Sequence, residues 1–155
     1  MKAGDKIKTS RANWSFRGSV FKSFDKHINK SVPLYLETQK LYENFSDFFI
    51  MNKSKAIDIG CSTGTFLGSV YKRHQSNKEK KVVYEGYDTV PEMIKFSNIK
   101  NRNCKIKFSV KDALKVNYKN SCIVSSFYTL QFISTSKRQT LVNKIFKGLN
   151  WGGAF

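Results

Sequence analysis

The chain has 155 residues, which is enough for one domain with a real core and short for two. Hydrophobic residues make up 40% of it and aromatic residues 14%, proportions that exclude disorder throughout. Lys and Arg number 28 against 11 Asp and Glu, so the net charge is +17. This charge disfavours a cationic partner and suits an anionic one, with nucleic acid first.

The basic excess has a second explanation. Of the 28 basic residues 23 are Lys and 5 are Arg, and Asn, Ile, Phe and Ser are also abundant. An AT-rich coding sequence would give this bias without any selection for binding. Charge alone therefore leaves nucleic-acid contact open.

The chain carries few signs of export, membrane insertion or metal binding. No secretory signal follows Met1, and no window approaches the ~20 apolar residues of a membrane span. An odd number of cysteines without C-x-x-C spacing argues against a disulfide framework or a zinc knuckle, and the two histidines are far apart. We expect a cytoplasmic protein with no metal and no membrane contact.

In chain order, residues 1–12 are polar and basic and are expected to be frayed. Two amphipathic helices follow, over 15–30 and about 34–49, and Pro33 breaks the helix between them. We interpret their apolar stripes as core packing. The stripes contain Val20, Phe21, Phe24 and Ile28 in the first helix and Leu41, Phe45, Phe48 and Phe49 in the second.

Beyond residue 50, short apolar strands alternate with helical patterns, which is typical of an α/β domain with a parallel sheet. The strands are predicted over 56–59, 81–87, 105–110 and 121–127. The helices are predicted to start near Phe66, Pro91 and Ser134 or Ser136, with residues 150–153 ending the last of them.

The strongest motif joins the first of these strands to its helix and contains Asp58, Gly60, Cys61, Ser62 and Gly64. Glycines allow positive φ and close approach of a ligand, and amides at a helix start carry partial positive charge. The spacing is G-x-x-x-G, not the G-x-G-x-x-G of pyrophosphate sites. The carboxylate of Asp58 suits a ligand with an ammonium group. A tight strand-to-helix turn without a ligand is the structural alternative.

Two more acidic residues follow the next strands. Asp88 ends the second strand, where nucleoside-binding folds place a carboxylate that accepts both ribose hydroxyls. Asp112, with Ala113, follows the third strand, where a carboxylate and a backbone amide could meet adenine. Each alone could be a solvated loop residue. In this order they predict a site at the carboxyl ends of the strands.

This order resembles the class I S-adenosylmethionine-dependent methyltransferases, and most closely their carboxy-S-adenosyl-L-methionine synthase branch. The likeness covers residues 14–155. The stretches that carry it are Trp14-Ser15-Phe16 with Ser31-Val32-Pro33 and Tyr35, the loop 58–64, and Thr129-Leu130-Gln131-Phe132 with Gly148-Leu149-Asn150 and Gly152-Gly153. It implies a Rossmann-like fold of about five parallel strands over 51–155, with an N-terminal extension and helical cap over 1–50.

The resemblance also implies the roles of site residues. Tyr35 would close over S-adenosylmethionine, or over its carboxylated form, from the cap. The amino-acid part would lie on Gly60, Cys61 and Ser62, the ribose on Asp88 and Thr89, and the adenine on Asp112 and Ala113. Phe127 stands where the family has an Asn, a departure that leaves cofactor binding in place and puts the particular chemistry in doubt.

Family members convert S-adenosylmethionine and prephenate to carboxy-S-adenosylmethionine and phenylpyruvate, for modification of the tRNA wobble uridine. The resemblance therefore implies prephenate as a substrate and contact with the tRNA pathway. Because family members are typically dimeric, it also implies a homodimer. Two alternatives stay open: a methyltransferase that acts directly on RNA, and a non-catalytic nucleic-acid-binding relative.

The resemblance also implies that Gly152-Gly153, after the fourth helix of this fold, begins a fifth strand. The family's last strands and its C-terminal Arg region have no counterpart in residues 1–155. We expect a fragment of a longer chain, with a naturally reduced protein and a degenerate relative as the other accounts.

Overall fold

The computed structural model describes residues 2–3, 7–10, 13–14, 24–77 and 80–155. Where fraying was expected, three short antiparallel strands pair, with residue 3 opposite residue 7 and residue 10 opposite residue 13. They are β1 (Lys2–Ala3), β2 (Ile7–Ser10) and β3 (Asn13–Trp14). Residues 15–23 of the first predicted helix, with Val20 and Phe21, lie outside the described residues.

A five-stranded parallel sheet forms the body of the molecule, as predicted, with strand order β6-β5-β4-β7-β8. The strands are β4 (Ser54–Ile59), β5 (Val82–Asp88), β6 (Ile106–Val110), β7 (Ser121–Ser125) and β8 (Leu149–Ala154). The connecting helices are α3 (Thr65–His74), α4 (Pro91–Lys100) and α5 (Thr135–Gly148). The α/β fold class is confirmed.

Apolar side chains cover both faces of the sheet. On one face a cluster joins β4 and β5 to α3 and includes Ala56, Leu67 and Val70. On the other face a second cluster joins the sheet to α5 and includes Ile57, Leu141 and Ile145. Two covered faces explain why the strands are continuous apolar runs with no clear alternation.

Two predicted boundaries were wrong. The strand β7 ends at Ser125, so Phe127 lies in the loop beyond it. Residues 150–153 belong to β8 and do not end a helix, since α5 stops at Gly148 and Leu149 is already extended. A Cβ at position 148 would lie 2.5 Å from the Tyr118 carbonyl carbon, so the backbone of residue 118 leaves no room for a side chain at the end of α5.

Two helices, α1 (Phe24–Ser31) and α2 (Tyr35–Phe49), precede the sheet and are called the cap helices below. The predicted core packing of the α2 stripe was wrong for three of its residues. Leu41, Phe45 and Phe48 are 50%, 42% and 80% exposed. The buried residues of α2 are Gln39 and Ser46, because this helix meets α3 through polar contacts. The fourth residue of the stripe, Phe49, does pack against the apolar cluster beside α3.

Candidate functional site

The sheet topology brings four loops to one edge. The chain runs outward from β4 through β5 to β6, then returns to the other side of β4 with β7. Ligands in open α/β sheets bind at such a switch point, beyond the carboxyl ends of the strands. A cavity of about 770 Å³ opens there, within the range of roughly 300–1,000 Å³ of small-molecule sites.

Eight of the eleven residues predicted for the site line this cavity: Tyr35, Gly60, Ser62, Asp88, Thr89, Asp112, Ala113 and Phe127. The other three, Asp58, Cys61 and Gly64, are buried beneath the loop and do not line it. The topology therefore brings together residues that are up to 92 positions apart (127 − 35) in the sequence.

The two glycines of the loop are required by the protein's own packing. Both have positive φ, 66° at Gly60 and 70° at Gly64. A Cβ at Gly60 would lie 2.1 Å from Thr129 Oγ1, and one at Gly64 would lie 2.7 Å from the Phe108 ring. Close approach by a ligand, the reason we gave from the sequence, is thus joined by close approach of neighbouring side chains.

Asp88 is fixed in place by two backbone amides. The Ser62 N–H donates to Oδ2 and the Val90 N–H donates to Oδ1, each at 2.9 Å. Burial raises the pKa of this carboxyl, and the hydrogen bonds from Val90 and Ser62 oppose that shift. Each oxygen keeps a lone pair for a hydroxyl donor in the cavity.

Asp58 lies deeper, at the end of β4, and is 3% exposed. The Ser125 hydroxyl donates to its Oδ1 at 2.7 Å. Burial raises the pKa of Asp58 to about 7, the Ser125 hydrogen bond lowers it, and the charge of Asp88 adds a smaller rise. A cation placed near this carboxylate would be stabilised by it and would return its pKa towards the usual range.

Cys61 does not present its thiol to the cavity. The side chain is 6% exposed and belongs to the apolar cluster beside α3. Burial raises the pKa of the thiol well above its usual value, which disfavours the reactive thiolate. Its N–H donates to the Tyr87 carbonyl at 3.0 Å, so this residue ties the loop to the end of β5.

Of the other two walls of the cavity, one is acidic and one is aromatic. Asp112 is exposed, and its Oδ1 accepts the Leu114 N–H at 2.8 Å, which leaves Oδ2 for another donor. Tyr35 stacks on Tyr128 with ring centroids 5.6 Å apart. Phe127 packs edge-on between Tyr42 and Phe66, with centroids 5.0 and 4.5 Å away.

Residues 56–153 match the model of the family described as a methyltransferase domain. The chain belongs to this methyltransferase domain family. The match covers the sheet from β4 to β8, and therefore the loops that form the cavity.

Curated relatives confirm the closer resemblance. A carboxy-S-adenosyl-L-methionine synthase from Campylobacter curvus is 37% identical over 147 residues, 94% of this chain and 61% of the relative. One from Nautilia profundicola is 34% identical over 155 residues, 97% of this chain and 64% of the relative. The chain thus spans less than two thirds of the length of these relatives.

A solved S-adenosylmethionine-dependent methyltransferase from Clostridium acetobutylicum shares the fold, with TM-score 0.65 and 16% identity over 85% of this chain and 52% of that chain.

A polar cluster holds the first cap helix against the methyltransferase domain. Thr63 Oγ1 donates to Asp25 Oδ1 at 2.7 Å, and Lys100 Nζ donates to Asp25 Oδ2 at 2.6 Å. Thr65 Oγ1 donates to the same oxygen at 3.2 Å. Asp25 therefore ties α1 to the glycine loop and to α4. Phe24 of α1 lines the cavity.

Sequence reasoning missed several cavity residues of the domain. They are Val90 and Met93 after β5, Lys111 and Leu114 after β6, and Tyr128, Thr129, Gln131, Phe132, Ile133, Ser134 and Lys137 after β7. The signal that could have found them is the rule used for Asp88 and Asp112, because all follow the carboxyl end of a strand.

Within the described residues, no group of three or more His, Cys, Asp or Glu side chains is placed to hold a metal ion. No described helix combines the length and apolar character needed to cross a membrane.

Proposed function

We propose that this chain is an S-adenosylmethionine-dependent transferase of the carboxy-S-adenosyl-L-methionine synthase type. The observation that carries the proposal is the convergence of the Gly60 loop, Asp88 and Asp112 on one cavity at the switch point of a methyltransferase domain. The names of the curated relatives support the same type of reaction.

The donor set fits this cofactor. A nucleoside needs hydroxyl acceptors at its ribose, and both oxygens of Asp88 keep acceptor capacity beside the two backbone N–H groups they already receive. The adenine amino group needs one acceptor, which Asp112 Oδ2 can provide. The amino-acid part carries an ammonium group, and the buried carboxylate of Asp58 lies beneath the loop that would receive it.

In the synthase reaction the bound sulfonium would supply an S-methyl group made acidic by its positive charge, and in direct methylation it would supply the methyl group itself. The chain's own residues then bind, orient and exclude water. Asp88 and the loop fix the cofactor's orientation, which is the main requirement of such a transfer. Tyr35, Tyr128 and Phe127 give one wall of the cavity an aromatic, water-excluding surface. We assign no general base.

The substrate proposal is prephenate, which is carried over from the family resemblance, with carboxy-S-adenosylmethionine, phenylpyruvate and water as products. Lys111 and Lys137 line the cavity and are exposed cations that suit a carboxylate substrate. A role in modification of the tRNA wobble uridine follows from the same proposal. The same proposal includes a cytoplasmic location, in keeping with the three free cysteines. It also includes a homodimer, which sedimentation analysis would test.

Calorimetry with S-adenosylmethionine tests binding. We expect the natural chain to release heat and Asp88→Asn to weaken binding by about tenfold or more, since one charged acceptor pair is lost. Glu37→Gln removes an exposed carboxylate on α2 outside the cavity and is the matched control. No heat with folded protein, or equal effects of the two variants, would sink the proposal.

Mass spectrometry after incubation with prephenate tests the reaction. A cofactor product heavier by one carboxyl group supports the synthase type. The second candidate is direct methylation of RNA, favoured by the apolar ring of Phe127, which packs between Tyr42 and Phe66 and offers no hydrogen-bonding group to a carboxylate. Methylated RNA without the carboxylated cofactor would reverse this order. Binding of RNA without either product would favour a non-catalytic relative.

A further inference from the structure

Four lysines surround one side of the cavity mouth and are called the lysine rim: Lys111, Lys115, Lys137 and Lys144. Lys111 and Lys137 line the cavity. Lys144 Nζ donates to the carbonyl of Leu114, another lining residue, and Lys115 is the next residue along the chain. All four side chains are exposed. Two of the four lysines thus line the cavity, and the other two lie next to or in contact with its lining residue Leu114.

The charge of the rim is uncompensated. In the part of the chain that the structure describes, none of the four ammonium groups has a carboxylate within 4.0 Å. Residues 111–155 contain seven Lys and Arg against one acidic residue, Asp112. Asp112 is itself a candidate ligand for the cofactor, so its charge is engaged when the site is filled.

Pairing with carboxylates does not set the rim apart from other lysines. Arg73 pairs with Asp47 at 2.6 Å and Lys40 pairs with Glu43 at 2.9 Å. Within the described residues, however, Lys72 and Lys81 also have no carboxylate within 4.0 Å. What distinguishes the rim is its position at the cavity mouth.

Exposed aromatic rings lie beside the rim. Phe132 is 53% exposed and Tyr128 is 38% exposed, and both line the cavity. Lysines that follow a phosphate backbone, next to rings on which bases stack, are the combination used by proteins that bind single-stranded nucleic acid. An anionic membrane or an acidic protein would use the lysines but would not need planar rings within the cavity mouth.

We propose that the lysine rim, with Phe132 and Tyr128, is a docking surface for a single-stranded RNA segment, its phosphates on the lysines and an unpaired base at the rings. The choice of RNA over DNA rests on the proposed function; the choice of a single strand rests on the rings. Because Lys111 and Lys137 also suit the carboxylate substrate of the proposed function, the RNA and that substrate would compete for these two lysines.

Fluorescence anisotropy with a labelled single-stranded RNA of about 16 nucleotides tests the proposal, since such sites span roughly 4–16 nucleotides. The rim variant replaces all four lysines by Ala. The matched control replaces four exposed lysines outside the cavity by Ala, namely Lys72, Lys81, Lys95 and Lys107, and loses the same charge.

We expect the rim variant to weaken binding on the order of a hundredfold at low salt. The slope of log K against log salt should fall by about 3, because each phosphate contact on a single strand contributes roughly 0.7. The control variant should weaken binding less than about threefold. Phe132→Ala should weaken single-strand binding about tenfold and leave binding of duplex RNA unchanged.

Several results would overturn the proposal: no RNA binding by the natural chain, equal losses in the rim and control variants, equal binding of a DNA strand of the same sequence, or a preference for vesicles of anionic lipid. Thermal melting of each variant excludes unfolding as the cause. Calorimetry of the natural chain with S-adenosylmethionine separates the two proposals. Heat without RNA binding contradicts the docking surface alone, and RNA binding without heat contradicts the proposed function alone.

Discussion

The sheet and the cap helices are attached to the molecule by different forces. Two layers of fully buried apolar side chains hold the sheet between its helices, with Ile57, Leu141 and Ile145 at 1% exposure or less. None of the eight residues of α1 is buried, and the buried residues of α2 are Gln39 and Ser46. The cap helices are joined to the body by hydrogen bonds and ion pairs and by partly exposed aromatic rings such as Phe49, without a layer of fully buried apolar side chains of their own.

This difference has a consequence for dynamics. A buried Leu or Ile stabilises by several kcal/mol when its truncation is measured, whereas one hydrogen bond contributes on the order of 1 kcal/mol. Segments with few buried apolar contacts open locally at lower free energy than the core. We therefore expect α1, which forms one wall of the cavity, to open without unfolding of the sheet.

The largest effect should come from the sheet. Leu141→Ala removes a fully buried side chain of α5 and should destabilise the protein by about 2–5 kcal/mol. Phe48→Ala on α2 removes a ring of larger size that is 80% exposed and should change stability by less than about 0.5 kcal/mol. Urea unfolding measures both. Similar losses for the two variants would contradict the comparison, and Ile145→Val serves if Leu141→Ala does not fold.

The second effect concerns a charge inside the sheet. The pKa of Asp58 is about 7 in the folded chain and about 3.8 in the unfolded one, so the folded state binds more protons between these values. Stability should therefore fall as pH rises from about 4 to about 7 and stay low above that. Asp58→Asn should reduce the slope to the part that the raised pKa of Asp88 contributes, and should stabilise by about 2 kcal/mol at pH 8.

Thermal melts over pH 4–8 check this outcome, with Glu37→Gln on the surface of α2 as the control. If Asp58→Asn keeps the pH slope of the natural chain, another group causes it. The same variant should bind S-adenosylmethionine more weakly under the proposed function, so a buried carboxylate that lowers stability would be retained for its ligand.

The sheet could be predicted from the sequence because its strands are apolar runs followed at once by helical periodicity. Asp88 and Asp112 could be predicted as site residues because position at a strand end decides what such a residue can reach. Which face of α2 is buried could not be predicted from the sequence. Periodicity locates an apolar stripe at Leu41, Phe45 and Phe48 but does not say whether that stripe meets the core.

What decides the orientation of α2 is a set of long-range polar contacts, such as that between Ser46 and His74, which are 28 positions apart. The depth of Asp58 and Cys61 is a similar case. Their place beside the glycines is visible in the sequence, but their burial depends on residues far along the chain, such as Ser125, which donates to Asp58.

A third prediction tests the attachment of α1. Asp25→Ala removes the carboxylate that accepts hydrogen bonds from Thr63, Thr65 and Lys100. Thr63 is only 2% exposed, so its hydroxyl would lose this partner in a buried position. We expect a loss of about 1 kcal/mol in global stability. Hydrogen exchange in α1 should rise about tenfold, while exchange in β4 and β5 should rise far less.

Lys26→Ala, on the same helix and exposed, is the control for Asp25→Ala. Under the proposed function, Asp25→Ala should also speed release of S-adenosylmethionine, because Phe24 and Ile28 of α1 line the cavity. Uniform acceleration of exchange across the sheet would show that α1 does not open by itself.

The smallest effect concerns α2 and pH. His74 Nε2 lies 2.7 Å from Ser46 Oγ, and the same imidazole faces Asp47, Glu43, Arg73 and Lys80. Burial lowers the pKa of His74 below 6.5, the attraction of Asp47 opposes this shift, and repulsion from Lys80 and Arg73 adds to it. The folded state thus prefers neutral His74, so its contribution is present above about pH 6.5 and is lost as pH falls through the depressed value.

We expect hydrogen exchange in α2, corrected for its intrinsic pH dependence, to increase by less than about fivefold between pH 7 and pH 5. His74→Gln cannot be protonated and should abolish the increase, while keeping a side chain able to hydrogen-bond to Ser46. Asp47→Asn should enlarge it, because the carboxylate that favours protonated His74 in the folded state is gone. An increase that persists in His74→Gln would place the pH sensitivity of the cap elsewhere, and would leave the Arg73–Asp47 ion pair, at 2.6 Å, as the contact to test.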